Sequence, residues 1–472
     1  MIIPNTLSVF FTLTMEYGAF EKVPQNKRSY SFWDQTVFWF STVSLPAAWL
    51  YGALMAGWKG VLAATLLIVG VNALSLIPWA YLGKMAQETG GSMMALARPA
   101  FGIKGSVVPS VFYLIFGMGW ALVNAFLGSI ALSFIFFFWL KWPAYLAPHS
   151  GPFMIMYLAI FAVLNGTFSI AGHNWIKKLQ WAATIFFLIL GFYQTFLVVN
   201  HWGLAKVLSW KPTTTLFYNS GPFVFPITFA FLFDLMVSYN WTWEFIGDFS
   251  RFAKTKNAGT WAPFIGAFIG QVWWFFVGAL AVASLALTKT GYNPLLADPS
   301  SATVQLGLGW LAALIILFAT VTTDAGNLYA SALSISNMLP KIKLSLRKLL
   351  VVVSLFVFPL SLLPLLFGNL LSFFIFFLDF VGALAIPLWT LMLVDYFFVK
   401  KTYSDDMYKK DGGKYWYTKG WNWKSIVTLF AGTGVYWLFA YFLPNSVRTI
   451  TTATIPTVLF VGIVHYFFAK KK

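Results

Sequence analysis

The chain has 472 residues, of which 59% are hydrophobic and only 10% are charged. A soluble globular protein of this size carries far more charge, so the composition indicates a polytopic membrane protein. The formal net charge is +17, but the basic residues lie in short segments between apolar runs. This distribution follows membrane topology and argues against nucleic acid as a partner. Cysteine is absent, which excludes disulfides and thiol chemistry.

Residues 1–32 are interpreted as a cytoplasmic N-terminal tail, because their apolar patch is too short to span a bilayer and lacks the features of a signal peptide. Apolar runs of about 20 residues follow, and they predict 12 transmembrane helices. These spans are Trp33–Ala56, Gly60–Leu82, Val107–Phe138, Pro152–Gly172, Leu179–Val199, Pro222–Phe245, Trp261–Leu287, Ala302–Leu339, Leu349–Phe367, Leu371–Val399, Ile426–Leu443 and Thr452–Phe468.

Most basic residues fall in alternate inter-span segments, which places both termini in the cytoplasm of a protein of the plasma (inner) membrane. The longest polar segment, 400–424, is predicted to be a basic cytoplasmic loop. It separates a core of ten spans from two accessory spans in residues 425–472. Ten-helix transporter cores often consist of two inverted five-helix halves, each opening with a broken helix. The halves here are 33–200 and 201–399.

Each half opens with a candidate break. In span one Pro46 cannot donate to the helix ladder, although a plain kink is the alternative. In span six the polar and aromatic stretch Met236–Trp243 interrupts the apolar run without Pro or Gly. Freed backbone groups at such breaks are common sites for ions and substrates.

Span eight contains a cluster of oxygen-bearing residues, and its buried charge requires an interior or cavity location. Thr322 and Thr323 offer hydroxyls and Ala319 a carbonyl, and unwound carbonyls of Phe40 and Val43 could complete a sodium shell. The alternative is that the threonines bond back to their own helix.

Aromatic and amide side chains predict a site for a flat heteroaromatic ligand. Trp120 and Asn124 share one face of span three, and Tyr239 could cover the other side of a ring. Ser238 and Asn240 add polar atoms from span six. Further candidates are Ser44, which precedes Pro46, and Asn327 in span eight. The alternative is ordinary packing, since 20% of the residues are aromatic.

Among the acids within the spans, Asp324 adjoins the threonine pair and is the strongest functional candidate, either as a partner of a basic ligand or as a proton relay. Asp234 and Glu244 also lie within the spans, and for them the alternative to a functional role is a hydrogen-bonded structural role. The histidines lack metal spacing and no Gly-rich loop with Lys-Ser or Lys-Thr occurs, so we expect neither an enzyme nor an ATP-driven pump, and no cofactor beyond a coupling ion.

Several motifs resemble those of the nucleobase–cation symporter family 1, which includes cytosine, hydantoin, allantoin and purine permeases. They are Gly90–Ser106, Asp248–Lys254, Thr322–Ser331 with Ser336 and Asn337, and Asp395–Lys401. The resemblance implies a five-plus-five inverted repeat of the sodium–amino-acid symporter type, alternating access and cation-coupled uptake.

The resemblance also implies roles for residues. Trp120 falls at the family's stacking tryptophan, Asn124 near its amide, Tyr239 near its second aromatic, and Thr322 and Thr323 at its sodium-binding hydroxyls.

Two departures from the cytosine-permease form bear on the substrate. Asp324 stands where that form has Asn, and Asn240 and Trp241 stand where it has Gly. They suggest a more basic ligand than cytosine and leave a proton open as the coupling ion.

We therefore predict a monomeric cation symporter in the bilayer for a planar nitrogen heterocycle such as a nucleobase. An amino-acid or amine permease of the same fold is the alternative, and a membrane-embedded enzyme or channel lacks any supporting motif.

Overall fold

The computed structural model describes residues 21–171, 173–214, 216–220, 223–339, 344–367 and 370–470. Apolar helices dominate, which confirms the predicted helical membrane protein. The helices are α1 (Phe32–Val43), α2 (Pro46–Lys59), α3 (Val61–Thr89), α4 (Met93–Phe101), α5 (Val107–Leu140), α6 (Ser150–Ala171), α7 (His173–Trp202), α8 (Leu204–Ser209), α9 (Phe229–Trp241), α10 (Ile246–Ser250), α11 (Lys256–Thr288), α12 (Pro299–Gln305), α13 (Gly309–Met338), α14 (Leu346–Leu360), α15 (Leu363–Leu366), α16 (Leu370–Lys400), α17 (Trp423–Phe442), α18 (Asn445–Arg448) and α19 (Thr454–Lys470). Short 3-10 turns occur at Gln25–Lys27, Pro294–Leu296 and Asp405–Tyr408.

Within the described residues, nine helices are long and apolar enough to cross a membrane, and the bent pair α1–α2 makes a tenth span. The predicted sixth span corresponds to the shorter α9 followed by α10, and the predicted twelfth span to the 17-residue α19. The part of the predicted tail that precedes residue 21 lies outside the described residues.

The break in span one is confirmed. Helices α1 and α2 meet at an angle of 64°, and Pro46 occupies the first turn of α2, where its missing N–H costs nothing. The bent pair packs on α11 through glycines. A Cβ at Gly278 would lie 2.0 Å from the carbonyl oxygen of Trp49, and one at Gly266 would lie 2.2 Å from that of Thr36. Only glycine therefore permits this backbone approach.

Span six begins later than predicted and is interrupted nearer its end. The prediction Pro222–Phe245 is wrong at its start, because Phe223–Pro226 pairs with Phe217–Ser220 in an antiparallel hairpin (β2 and β1). Helix α9 begins at Phe229, where the Thr228 hydroxyl accepts a hydrogen bond from the N–H of Phe231. The helix stops at Trp241, and α10 starts only at Ile246.

Span eight is also shorter than predicted. The run Ala302–Leu339 is not one helix, because Gly307 and Gly309 adopt φ values of 85° and 64°, which a continuing right-handed helix does not allow. The short α12 lies before this turn and is capped by Asp298, which accepts the Ser301 N–H at 2.8 Å.

The accessory helices are bonded to the core at both ends of α19. Asp234 of α9 accepts the backbone N–H groups of Ala453 and Thr454 at 2.7 and 2.9 Å, so it binds the helix N-terminus. Near the other end, His465 contacts Asp395 of α16 at 3.1 Å. Segment 401–422 is folded, and Asn422 donates to the Ala100 carbonyl at 2.7 Å.

Candidate functional site

A cluster of aromatic rings occupies the space between α5 and the break in span six. The indoles of Trp120 and Trp243 stack, with centroids 5.1 Å apart and planes inclined by 25°. Tyr239 meets Trp120 edge-on at 5.3 Å, and Tyr51 of α2 stacks on Tyr239 at 5.5 Å. All four side chains are buried. The predicted pairing of Trp120 with Tyr239 is therefore present.

Two hydrogen-bond donors in this cluster have no partner among the described residues: the Tyr239 hydroxyl and the Trp243 indole N–H. The Trp120 indole N–H instead donates to the Thr242 hydroxyl at 3.1 Å. A buried donor without a partner costs about 1–3 kcal/mol. The cluster thus combines flat apolar surfaces with two donors that an acceptor-bearing ring would satisfy.

Side chains of other helices donate hydrogen bonds to the backbone carbonyls at the break in span six. The Trp389 indole donates to the Trp241 carbonyl at 2.6 Å, and the Trp79 indole donates to the Trp243 carbonyl at 3.0 Å. The Tyr113 hydroxyl donates to the carbonyl of Glu244. These carbonyls lose their helical partners where α9 ends, and an unpaired carbonyl in hydrocarbon is costly. The side-chain donors therefore stabilise a break that contains neither Pro nor Gly.

Asp324 lies among three amides from three helices. The side-chain amides of Asn124 on α5, Asn165 on α6 and Asn327 on α13 all donate to its carboxylate, the first and third at 3.4 and 3.2 Å. All four side chains are buried. The structure thus brings together three predicted residues, Asn124, Asp324 and Asn327, and adds Asn165. Asn124 lies one turn from Trp120 on α5, so this amide group adjoins the aromatic cluster.

Three other predicted substrate residues are engaged elsewhere. Ser238 donates to the Asp234 carbonyl at 2.8 Å, and its hydroxyl lies where a Cβ on Gly382 would stand. Asn240 donates to Asn72 at 2.8 Å and to a second α3 side chain. Ser44 donates to the carbonyl of Phe40 at 2.6 Å.

The predicted cation ligands fall into two groups. On α13 the Thr322 hydroxyl lies 3.2 Å from the Ala319 carbonyl and also donates to the Phe318 carbonyl at 2.8 Å. The threonine therefore bonds back to its own helix, which was the alternative interpretation. Thr323 follows it and is half-buried.

Phe40 and Val43 lie at the end of α1. Helix α1 packs mainly on α11, whereas α13 packs mainly on α5 and α7. A sodium shell shared between α1 and α13 therefore stays a prediction.

Glu244 is the most unusual acid in the core. It is 1% exposed, and neither carboxyl oxygen has a hydrogen-bond partner among the described residues. The hydroxyl of Ser331 also has no hydrogen-bond partner in the part of the chain that the structure describes. Both side chains adjoin Gly117, where a Cβ would lie 3.4 Å from a Glu244 oxygen and 2.5 Å from that hydroxyl. A buried, unpaired carboxylate is very costly, so this environment tolerates the neutral acid.

Sequence reasoning missed several residues of this region. The sequence did point to Trp243, because this residue ends the polar and aromatic stretch four residues after Tyr239. Asn165 had a weaker signal, as a single amide in an apolar span. Trp79 and Trp389 had none, because nothing local distinguishes them from the other tryptophans of an aromatic-rich chain.

Comparison with known proteins identifies the family. Residues 22–467 match the family described as permeases for cytosine/purines, uracil, thiamine and allantoin. A purine-uracil permease of Arabidopsis thaliana is 28% identical over 438 residues, covering 86% of this chain and 68% of that protein. An allantoin permease of Bacillus subtilis is 24% identical, covering 86% of this chain and 84% of its own.

The fold is that of the solved transporter Mhp1. The structure of Mhp1 in a closed conformation with bromovinylhydantoin bound superposes with a TM-score of 0.74 at 18% identity, covering 96% of each chain. Mhp1 is described as a nucleobase-cation-symport-1 family transporter. The family match over residues 22–467 and the shared fold lead to one conclusion: this chain belongs to the nucleobase–cation symporter family of cytosine and purine permeases.

Proposed function

We propose that this protein is a secondary active transporter that carries a planar nitrogen heterocycle together with a cation by alternating access. The observation that carries the proposal is the stacked pair Trp120 and Trp243 beside the unpaired Tyr239 hydroxyl and Trp243 N–H. Nucleobases, hydantoins and allantoin all contain a small polar ring with carbonyl or ring-nitrogen acceptors. Such a ligand would stack on the indoles and would accept hydrogen bonds from the two donors.

The present spacing of the indoles leaves no room for a ring between them. Stacked atoms lie about 3.5 Å apart, so a sandwiched ring needs centroids separated by roughly 7 Å. The observed 5.1 Å therefore represents a collapsed pocket, and ligand entry moves Trp243 away from Trp120. The break at 242–245 supplies the backbone freedom for this movement.

The test is a pair of matched tryptophan substitutions. Trp120→Leu is expected to weaken binding of a heterocycle roughly tenfold, since aromatic stacking contributes about 0.5–1.5 kcal/mol beyond buried area. Trp274→Leu removes an equally buried indole, which instead stacks on Phe187 at 3.7 Å. Binding is measured by thermal shift and labelled uptake over a panel of nucleobases, hydantoins, allantoin, amines and amino acids. Equal losses in the two variants would place the substrate elsewhere.

The same panel decides between heterocycle transport and the alternative, an amino-acid or amine permease. A carboxylate ligand would need free backbone N–H groups at the break in span one. Pro46 supplies none there, and the Ala48 N–H already donates to the Leu45 carbonyl at 3.0 Å. Selective stabilisation by an amino acid would favour the alternative.

We infer sodium as the coupling ion, bound by Ala319, Thr322 and Thr323 on α13 together with the carbonyls of Phe40 and Val43 on α1. Support comes from the adjacency of the Thr322 hydroxyl and the Ala319 carbonyl, 3.2 Å apart. A hydroxyl that donates to its own helix still offers lone pairs to a cation. Completion of the shell requires α1 to approach α13, which would couple ion binding to closure.

A proton is the second candidate for the coupling ion, and the environment of Glu244 supports it. Its carboxyl group is buried beside the substrate cluster and receives no hydrogen bond from a described residue, whereas Asp324 receives three. Glu244 is therefore the better proton carrier of the two, and Asp324 the better structural anchor.

Uptake by proteoliposomes separates the two ions. With sodium coupling, Thr323→Ala lowers sodium affinity by roughly tenfold, the loss of about 1.4 kcal/mol, whereas Thr320→Ala on the same helix leaves it unchanged. With proton coupling, Glu244→Gln abolishes uptake driven by a pH gradient, and sodium has no effect on the wild-type protein.

For membrane topology we propose 12 spans, with α9–α10 as the broken sixth span and α19 as the twelfth. Residues 33–200 and 201–399 then form the inverted repeats, because each half opens with a broken helix. The basic segments, including both termini, the 400–424 loop and α4, face the cytoplasm of the plasma (inner) membrane. The two accessory spans in 425–472 pack on α16, and the protein functions as a monomer.

A further inference from the structure

A cavity of about 860 Å³ opens where the basic ends of α16, α17 and α19 meet segment 401–422. It is distant in the fold from the substrate cluster, since it lies at the ends of the helices rather than at their breaks. Four lysines line it, contributed by four different elements, and no Asp or Glu is among the described lining residues. These lysines are Lys400, Lys414, Lys424 and Lys470.

The positive charge of this cavity is only partly neutralised. Lys400 forms an ion pair with the buried Asp395 at 2.5 Å. Neither Lys414 nor Lys470 forms an ion pair with a described residue, and both side chains are exposed. Asp406, which accepts the backbone N–H of Lys414, pairs with the Lys409 ammonium at 2.6 Å, and the hydrogen bond from Lys409 lowers the pKa of Asp406.

The rim of the cavity carries exposed apolar side chains. Trp423 is 55% exposed and stacks on Trp421 with centroids 5.3 Å apart. Phe468 is 43% exposed, and the α17 residues Val427 and Phe430 continue the apolar surface along the same helix. Aromatic residues of this kind mark the level of lipid headgroups. The cavity therefore offers cations at headgroup depth and hydrocarbon contacts directly beside them.

We propose that this cavity binds the phosphate headgroup of an anionic phospholipid, whose acyl chains lie along α17 and α19. Basic pockets between transmembrane helices recognise such headgroups, and 860 Å³ is ample for one. A free anion would use the lysines but not the exposed apolar rim. The lipid would join α17, α19 and segment 401–422, and so stabilise the accessory helices on the core.

The experiment measures thermal unfolding of the full-length protein in detergent with added phosphatidylglycerol, phosphatidylcholine or inorganic phosphate. Phosphatidylglycerol is expected to raise the midpoint, and phosphatidylcholine is not. In the triple variant Lys414→Gln/Lys424→Gln/Lys470→Gln the apparent affinity for phosphatidylglycerol falls by roughly tenfold or more. The matched control, Lys59→Gln/Lys206→Gln/Lys289→Gln, removes equal charge from exposed sites elsewhere and retains the wild-type response.

Native mass spectrometry of the same proteins counts the bound lipid. An equal phosphatidylglycerol response in both triple variants would overturn the site, and equal stabilisation by inorganic phosphate would overturn the lipid as its occupant. Because no substrate or ion gradient is added, this result does not depend on the transport proposal.

Discussion

The helices of spans one and six are both interrupted, but by different means. Span one breaks at Pro46, and its two halves pack against the glycines of α11. Span six breaks after Trp241 with neither Pro nor Gly, and donors on α3, α5 and α16 bond its free carbonyls. The first break is marked by a local proline and held by the glycines of α11, whereas nothing local marks the second, which depends on donors from three other helices. Mutations should therefore affect the two breaks differently.

The largest effect is expected at the glycine contact of span one. Gly278→Ala places a Cβ 2.0 Å from the Trp49 carbonyl oxygen, so α2 and α11 must separate. Overpacking of this kind costs about 3 kcal/mol, and we expect a large fall in the thermal midpoint and in folded yield. The control Gly434→Ala has no atom within 4 Å of the new Cβ and should be neutral. A wild-type midpoint for Gly278→Ala would show that this packing does not hold the bend.

A smaller effect is expected at the donors of span six. Trp389→Phe leaves the Trp241 carbonyl unpaired, which costs about 1–3 kcal/mol. Trp274→Phe removes a similar volume from a buried indole whose N–H has no partner among the described residues. The difference between the two thermal midpoints isolates the hydrogen bond. If both variants lose the same stability, the donor does not support the break.

The smallest effect on stability is expected from Pro46→Ala. Removing a proline from a compatible position costs less than about 1 kcal/mol, mostly through the unfolded state. Because the glycines of α11 still hold α1 and α2 at an angle, the bend should persist and the midpoint should change little. A loss larger than that of Trp389→Phe would reverse the comparison and make Pro46 the main determinant of the break.

The sequence predicts what is local and fails where distant residues decide the structure. Pro46 marks the first break because proline acts on its own turn, and Trp120 with Asn124 could be paired because they share a helix face. The turn at Gly307 was missed because the apolar run continues through it. Trp79 and Trp389 were missed because their role exists only once three helices are assembled. The lone pairs of Thr322 remain the hardest case, since sequence cannot tell a back-bonded hydroxyl from a cation ligand.

The amide group around Asp324 has a consequence for motion. Asp324 of α13 accepts hydrogen bonds from Asn124 on α5 and Asn165 on α6, so separating α13 from either helix must break a buried hydrogen bond. The glycine contacts between α2 and α11 leave no free space between those two helices. We therefore expect α5, α6 and α13 to move together, and α2 and α11 to move together, with relative motion of the two groups occurring at the aromatic cluster.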